Sequence, residues 1–158
     1  MNKNYWIKKR GKKGEIIWRT GRSQGLKGAK GRVGDISKQI RELLKNKNKI
    51  KILEIGAGFG MALLELKQIF GDQIEVFGTN YEAEWNQKLT EEYALNKKFS
   101  KEEIPKIYTK IDAGKKLPFK NNSFDFIFCQ ATMQYISDRA LFIEESNRIL
   151  TKNGIAIL

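Results

Sequence analysis

The stretch Ile50-Lys51-Ile52-Leu53-Glu54-Ile55-Gly56-Ala57-Gly58-Phe59-Gly60 constrains this chain more than any other. A short apolar strand runs into three glycines at alternate positions. A helical pattern over Phe59–Phe70 follows at once, with Leu63, Leu64, Leu66 and Ile69 as its apolar residues. Strand, tight turn and helix in that order let the backbone approach a ligand closely, and they aim free helix amides at it.

The alternation continues downstream. Gly71-Asp72 breaks the helix, and Ile74–Thr79 reads as a second strand. Ala83–Lys97 is a polar helix carrying Trp85, Leu89 and Tyr93, and Lys106–Ile111 is a third strand after the break at Pro105. Phe124–Cys129 is a nearly continuous apolar strand, as expected when both sheet faces are covered. Ser137 is placed to cap a helix running to about Leu150, with Leu141, Phe142, Ile149 and Leu150 inward. Lys152-Asn153-Gly154 then turns the chain into a fifth strand, Ile155–Leu158. Upstream, Asp35 caps a helix with Ile36, Ile40, Leu43 and Leu44 on one face. Strands alternating with helices predict a three-layer α/β/α, Rossmann-like fold with a mostly parallel sheet. Ligands then bind at the carboxyl ends of the strands.

The 158 residues suffice for one domain with one core. With no histidine and the single cysteine Cys129, the chain lacks a Ser-His-Asp or Cys-His pair, a zinc site and an internal disulfide. Chemistry must come from a bound cofactor or from carboxylates, Tyr and Lys; no metal is expected. No run reaches the length of a membrane span, and a cytoplasmic location is expected.

The glycine spacing discriminates between cofactors. A dinucleotide turn wants G-x-G-x-x-G, but here the third glycine falls one place early, at Gly60, and Met61 occupies the place that pattern reserves for glycine. Glu54, just before the loop, suits a cationic ligand better than a pyrophosphate.

In these residues the chain resembles the class I S-adenosylmethionine (SAM)-dependent methyltransferases, whose first motif reads E/D-x-G-x-G-x-G; Glu54, Gly56, Gly58 and Gly60 match it. Lys116-Leu117-Pro118-Phe119 and Asn122-Ser123-Phe124-Asp125 resemble the signature of the type-11 group, and the match extends through Arg148-Ile149-Leu150 and Asn153-Gly154. The resemblance covers about residues 50–158 and implies a SAM-dependent methyltransferase. It implies that the loop, Ala57 included, wraps the methionine part of SAM and that Glu54 helps hold its amino group. It implies that Asp112 meets the adenine amino group, with a neighbouring backbone amide at Ala113 on the ring. The family acid that binds the ribose hydroxyls falls at Asn80, followed by Tyr81. This is a departure from the pattern, with Glu82 as a substitute acid. Cys129 would lie beside the point of methyl transfer, and Gln130, Met133 and Tyr135 would line the acceptor pocket. Tyr135 and Tyr81 are the candidates for a general base. The family sheet has seven strands, so a chain ending inside the fifth is expected to lack the last two; an exposed sheet edge would then permit self-association.

Charge divides the chain. Residues 1–51 hold 17 Lys/Arg against three acids, a net +14, within an overall +12. Glycines at 11, 14, 21, 25, 28 and 31 predict little regular structure over residues 1–33, which read as a basic arm with Tyr5, Trp6 and Trp18 interleaved. Residues 34–158 read as the SAM-binding domain. Three functions fit: methylation of a small molecule with the arm as a lid; methylation of RNA gripped by residues 1–33; or a non-catalytic binding module of the SAM fold.

Overall fold

The computed structural model describes residues 7–19 and 25–158. Tyr5, Trp6 and Gly21 of the basic arm lie outside the described residues.

An antiparallel hairpin, β1 (Lys8–Arg10) and β2 (Ile16–Trp18), comes first, followed by α1 (Gly25–Val33) and α2 (Ile36–Leu44). Then strands and helices alternate: β3 (Ile50–Ile55), α3 (Met61–Phe70), β4 (Ile74–Thr79), α4 (Gln87–Asn96), β5 (Lys106–Tyr108), β6 (Phe124–Phe128), α5 (Arg139–Ile149) and β7 (Leu150–Ile157). The second sheet is wholly parallel, in the order β5-β4-β3-β6-β7. The order reverses beside β3, so the loops after β3 and β6 open over one crevice.

Strand alternation divides the core. Ile50 and Ile52 of β3 pack with Phe126, Phe128 and the apolar residues of α1, α2 and α3; Leu53 and Ile55 pack on the opposite face with Ile127, Phe142 and Ile149. A third, aromatic cluster joins Trp18 of the hairpin to Phe59, Leu64, Tyr93 and Ala94.

The glycine-rich residues 1–33 are more regular than expected. The described part forms the hairpin and α1, although Gly28 and Gly31 lie inside that helix. Each glycine costs a free helix about 1 kcal/mol; tertiary packing overrides this, because Ala29 is buried in the core and the Glu65 carboxylate accepts the Leu26 amide at 2.6 Å. Three boundaries also differ. The cap of α5 is Asp138, which accepts from the Leu141 amide at 2.9 Å, rather than Ser137. Helix α4 starts after Asn86, which accepts from Leu89, so residues 83–86 are turn. The final strand starts at Leu150, and residues 152–154 are absorbed by a shift of register against β6 instead of forming a turn.

The LPF…NSFD segment holds the amino end of the sheet. Arg148 donates to the carbonyls of Leu117 and Phe119, to Asn121 and to both oxygens of Glu145. Glu145 in turn accepts the Leu117 amide at 2.7 Å. The Arg148 guanidinium holds the Glu145 carboxyl down at about 2. Asp125 accepts from Lys47, from the Lys51 amide at 2.8 Å and from Thr151 at 3.1 Å. Burial pushes its carboxyl up, but these partners outweigh it and hold it below the usual range.

Candidate cofactor site at the carboxyl ends of β3, β4 and β6

Gly56, Gly58 and Gly60 have φ of 73°, 57° and 74°, all in the left-handed region where a side chain is strained. Space adds to the constraint. A Cβ on Gly56 would collide with the Thr132 hydroxyl, and one on Gly60 would stand 2.8 Å from the Pro105 ring. Gly78 of β4 gives way to the same loop, since a Cβ there would lie 2.6 Å from Ala57. The amides of Gly56 and Ala57 both donate to the Thr79 carbonyl, at 2.8 and 3.0 Å, which pins the loop across the top of β4. The helix expected from Phe59 starts at Met61, with Gly60 as its cap.

Glu54, next to last in β3, lies beneath this loop and is 1% exposed. Its Oε1 accepts from Gln130 Nε2 at 2.9 Å, whereas Oε2 is buried and has no hydrogen-bond partner among the described residues. Burial, reinforced by the charge of Glu65 and only partly offset by Gln130, pushes the carboxyl from 4.5 up to about 8. A buried, half-satisfied carboxyl of this kind is costly to a fold and suited to a cationic donor.

Cys129 is 3% exposed and its thiol is pushed up to about 12, chiefly by burial and then by Glu54. It is a protonated wall of the site. The chain after it is strained, with Ala131 at φ 55°, and this brings Thr132 against Gly56. Asn80, 4% exposed, directs its carboxamide to the backbone of Gly58 and Trp85. Its own carbonyl accepts from Ile111, which draws the loop carrying Asp112 and Ala113 beside β4. Asp112 is half-buried and accepts the Gly114 amide at 2.9 Å. Tyr81 and Tyr135 are 67% and 78% exposed, at the rim of these loops. Glu54, the glycine loop, Gln130 and Cys129 therefore sit together.

Sequence reasoning did not find Thr132, Trp85 or Phe59 as parts of the site, nor the role of Gln130. Phe59 packs against Trp18, Trp85 and Tyr93, with ring centroids 5.3, 4.7 and 4.7 Å away. Arg32 Nη1 of α1 donates to the side-chain oxygen Oε1 of Gln130 at 3.5 Å. Phe59 and Trp85 stand in local patterns that mark them only as helix residues, and the contacts that bring Phe59 to Trp18, Gln130 to Glu54 and Thr132 to Gly56 join positions distant in sequence.

A family model described as a methyltransferase domain matches residues 53–158. The chain belongs to that methyltransferase family. It is 25% identical over 105 residues to a sarcosine/dimethylglycine N-methyltransferase of Aphanothece halophytica, a match covering 66% of this chain and 35% of that protein. Its fold resembles a putative sarcosine dimethylglycine methyltransferase from Galdieria sulphuraria, with TM-score 0.61 and 21% identity over 76% of this chain and 43% of that one. A SAM-dependent methyltransferase from Aquifex aeolicus gives 0.57 and 22% over 78% and 62%. The chain thus spans about a third of the curated relative and roughly half of these structures.

SAM is the methyl donor of such domains, and the residues present fit it. The buried, unpartnered Oε2 of Glu54 lies directly before a turn of three glycines at left-handed φ. Among the described residues no helix is long and apolar enough to cross a membrane.

Proposed function

We propose that this chain binds SAM at the glycine loop and transfers its methyl group to a small-molecule acceptor. The observation that carries the reading is the unpartnered, buried Oε2 of Glu54 beneath three left-handed glycines. Glu54 would hold the amino group of SAM, as a carboxylate once its proton is lost to solvent. The loop from Gly56 to Gly60 would hold the methionine part, Asp112 and Ala113 the adenine, and Tyr81 would border the ribose. SAM supplies an electrophilic methyl on a sulfonium centre when bound. The chain's part is to align an acceptor in line with it and to exclude water, so proximity and orientation carry the rate. Cys129, held protonated, does not compete as an acceptor. Gln130 is fixed by Glu54 as part of the wall, while Met133 and Tyr135 border the acceptor entrance, with Tyr135 or Tyr81 as the base where one is needed.

Residues 34–158, with α1 packed into their core, are read as the cofactor domain and the hairpin Lys8–Trp18 as part of its cover, in a cytoplasmic protein. Trp18 supports the cover reading: it is buried on Phe59 of the loop, and its indole donates to Asn96 at 2.9 Å. The concentration of positive charge in residues 1–51 supports a second reading, an RNA acceptor.

Calorimetry with S-adenosylhomocysteine, then an acceptor screen with labelled SAM, tests the proposal. Binding of S-adenosylhomocysteine but not NAD, with label passed to small amines or other small acceptors, is expected. Tighter binding of NAD refutes the cofactor. Label passed only to RNA, with salt-sensitive binding, moves the acceptor to the second reading.

A further inference from the structure

We propose that Asn80 is a positioning residue whose carboxamide latches the Gly58 residue at both its amide and its carbonyl, fixing the glycine loop before any ligand arrives. The proposal rests on the same site as the proposed function and concerns how that site is kept in shape.

Three bonds make the latch. Asn80 Oδ1 accepts the Gly58 amide at 2.7 Å. Its Nδ2 donates to the Gly58 carbonyl at 3.0 Å and to the Trp85 carbonyl at 2.8 Å. Both amide hydrogens are therefore engaged within the protein. A carboxamide alone offers one acceptor and two donors on a small planar head. A carboxylate could receive the Gly58 amide, but it would set its second oxygen against two carbonyl oxygens. The backbone of Asn80 is itself immobilised. Its amide donates to the Tyr108 carbonyl at 2.8 Å, and its carbonyl accepts from Ile111 at 3.1 Å.

The loop has reason to need such a hold. Three glycines at left-handed φ are unstrained, but glycine loses more freedom on ordering than any other residue. Backbone bonds to Thr79 fix Gly56 and Ala57 only. Gly58 is next, and Asn80 takes it at both its N–H and its C=O. On the other side, the Trp85 ring lies 3.7 Å from where a Gly58 Cβ would stand and meets Phe59 edge-on. Trp85 thus belongs to both sides of the clamp: its carbonyl is held by Asn80 and its ring covers the loop. Both amide hydrogens are turned into the backbone and Oδ1 already accepts the Gly58 amide, so only the second lone pair of Oδ1 is left for a bound sugar. Holding the loop in advance removes an ordering cost from binding.

The test uses the full chain, Asn80→Asp, and Asn80→Ser as a second variant should the first not fold. Hydrogen exchange on the ligand-free proteins follows residues 56–61 and 83–88, with β3 and α5 as internal references. Exchange at least tenfold faster in both segments, and unchanged in the references, is expected of each variant. S-adenosylhomocysteine should bind Asn80→Asp about tenfold more weakly, the order expected for losing one or two neutral hydrogen bonds. Unchanged exchange overturns the latch. So does unchanged or tighter binding by Asn80→Asp, the latter being the signature of a carboxylate on ribose hydroxyls. If the unsubstituted chain binds no S-adenosylhomocysteine, the exchange measurement still decides the latch, and the failure falls on the proposed cofactor instead.

Discussion

The two ends of the parallel sheet are built on opposite terms. At the amino end, Arg148 and Glu145 bond each other and the backbone of the loop they hold, and Asp125 bonds Lys47, Thr151 and the Lys51 amide. Their carboxyls are held down and stay charged. At the carboxyl end, Glu54 is pushed up, one of its oxygens is unpartnered, and the backbone around it is left-handed at Gly56, Gly58, Gly60 and Ala131. One end of the sheet is finished by its own residues, and the other is left to be finished by a ligand. The LPF…NSFD…RIL signature, which does most to place the chain in its family, lies at the finished end. It fastens the fold, while the proposed cofactor site lies at the other end of the strands.

Three measurements would break or sharpen that contrast. The largest effect is expected from Gly56→Val. A β-branched residue at φ 73° that also meets Thr132 should abolish S-adenosylhomocysteine binding, more than 100-fold, and cost on the order of 2 kcal/mol of stability. Adding Thr132→Ala should return part of the stability and none of the binding. Normal affinity in either protein would mean that the loop does not shape the crevice.

Next comes Arg148→Met. It keeps the aliphatic stem, removes the donors to Leu117, Phe119 and Asn121, and leaves Glu145 without its cation. Urea unfolding should show a loss of about 2 kcal/mol, with cofactor affinity of the folded protein within about twofold. A loss of affinity without a loss of stability would erase the division between the two ends.

The smallest is Glu54→Gln, expected to weaken S-adenosylhomocysteine about tenfold, in the range for a hydrogen bond to a charged group. Its pH dependence is more telling. In the empty protein the folded carboxyl titrates near 8 and the unfolded one near its ordinary 4.5, so the folded state holds the extra proton between these values. Stability should therefore be highest below about 4.5 from this group, fall as pH rises to about 8, and then level. Glu54→Gln should remove that slope. Binding of a cationic ligand should strengthen over the same window, with release of a proton detectable by calorimetry in buffers of different ionisation heat. A flat profile in the unsubstituted protein would show Glu54 to be charged already.

The chain's local patterns by themselves determined the order of strands and helices from Ile50 onward, with β3 and β4 legible to the residue, because apolar period and glycine breaks are local signals. The three glycines and the acid before them likewise marked the loop that is proposed to hold the cofactor. Tertiary structure alone decided the rest. Residues 25–33 became a helix because Glu65 and the core beneath Ala29 outweigh glycine propensity. Gln130 reached Glu54 across 76 positions, and Asn80 reached Gly58 across 22. A hydrogen bond depends on where two atoms meet, and for residues at or just past the ends of neighbouring parallel strands that meeting is fixed by the sheet and leaves no period in the chain.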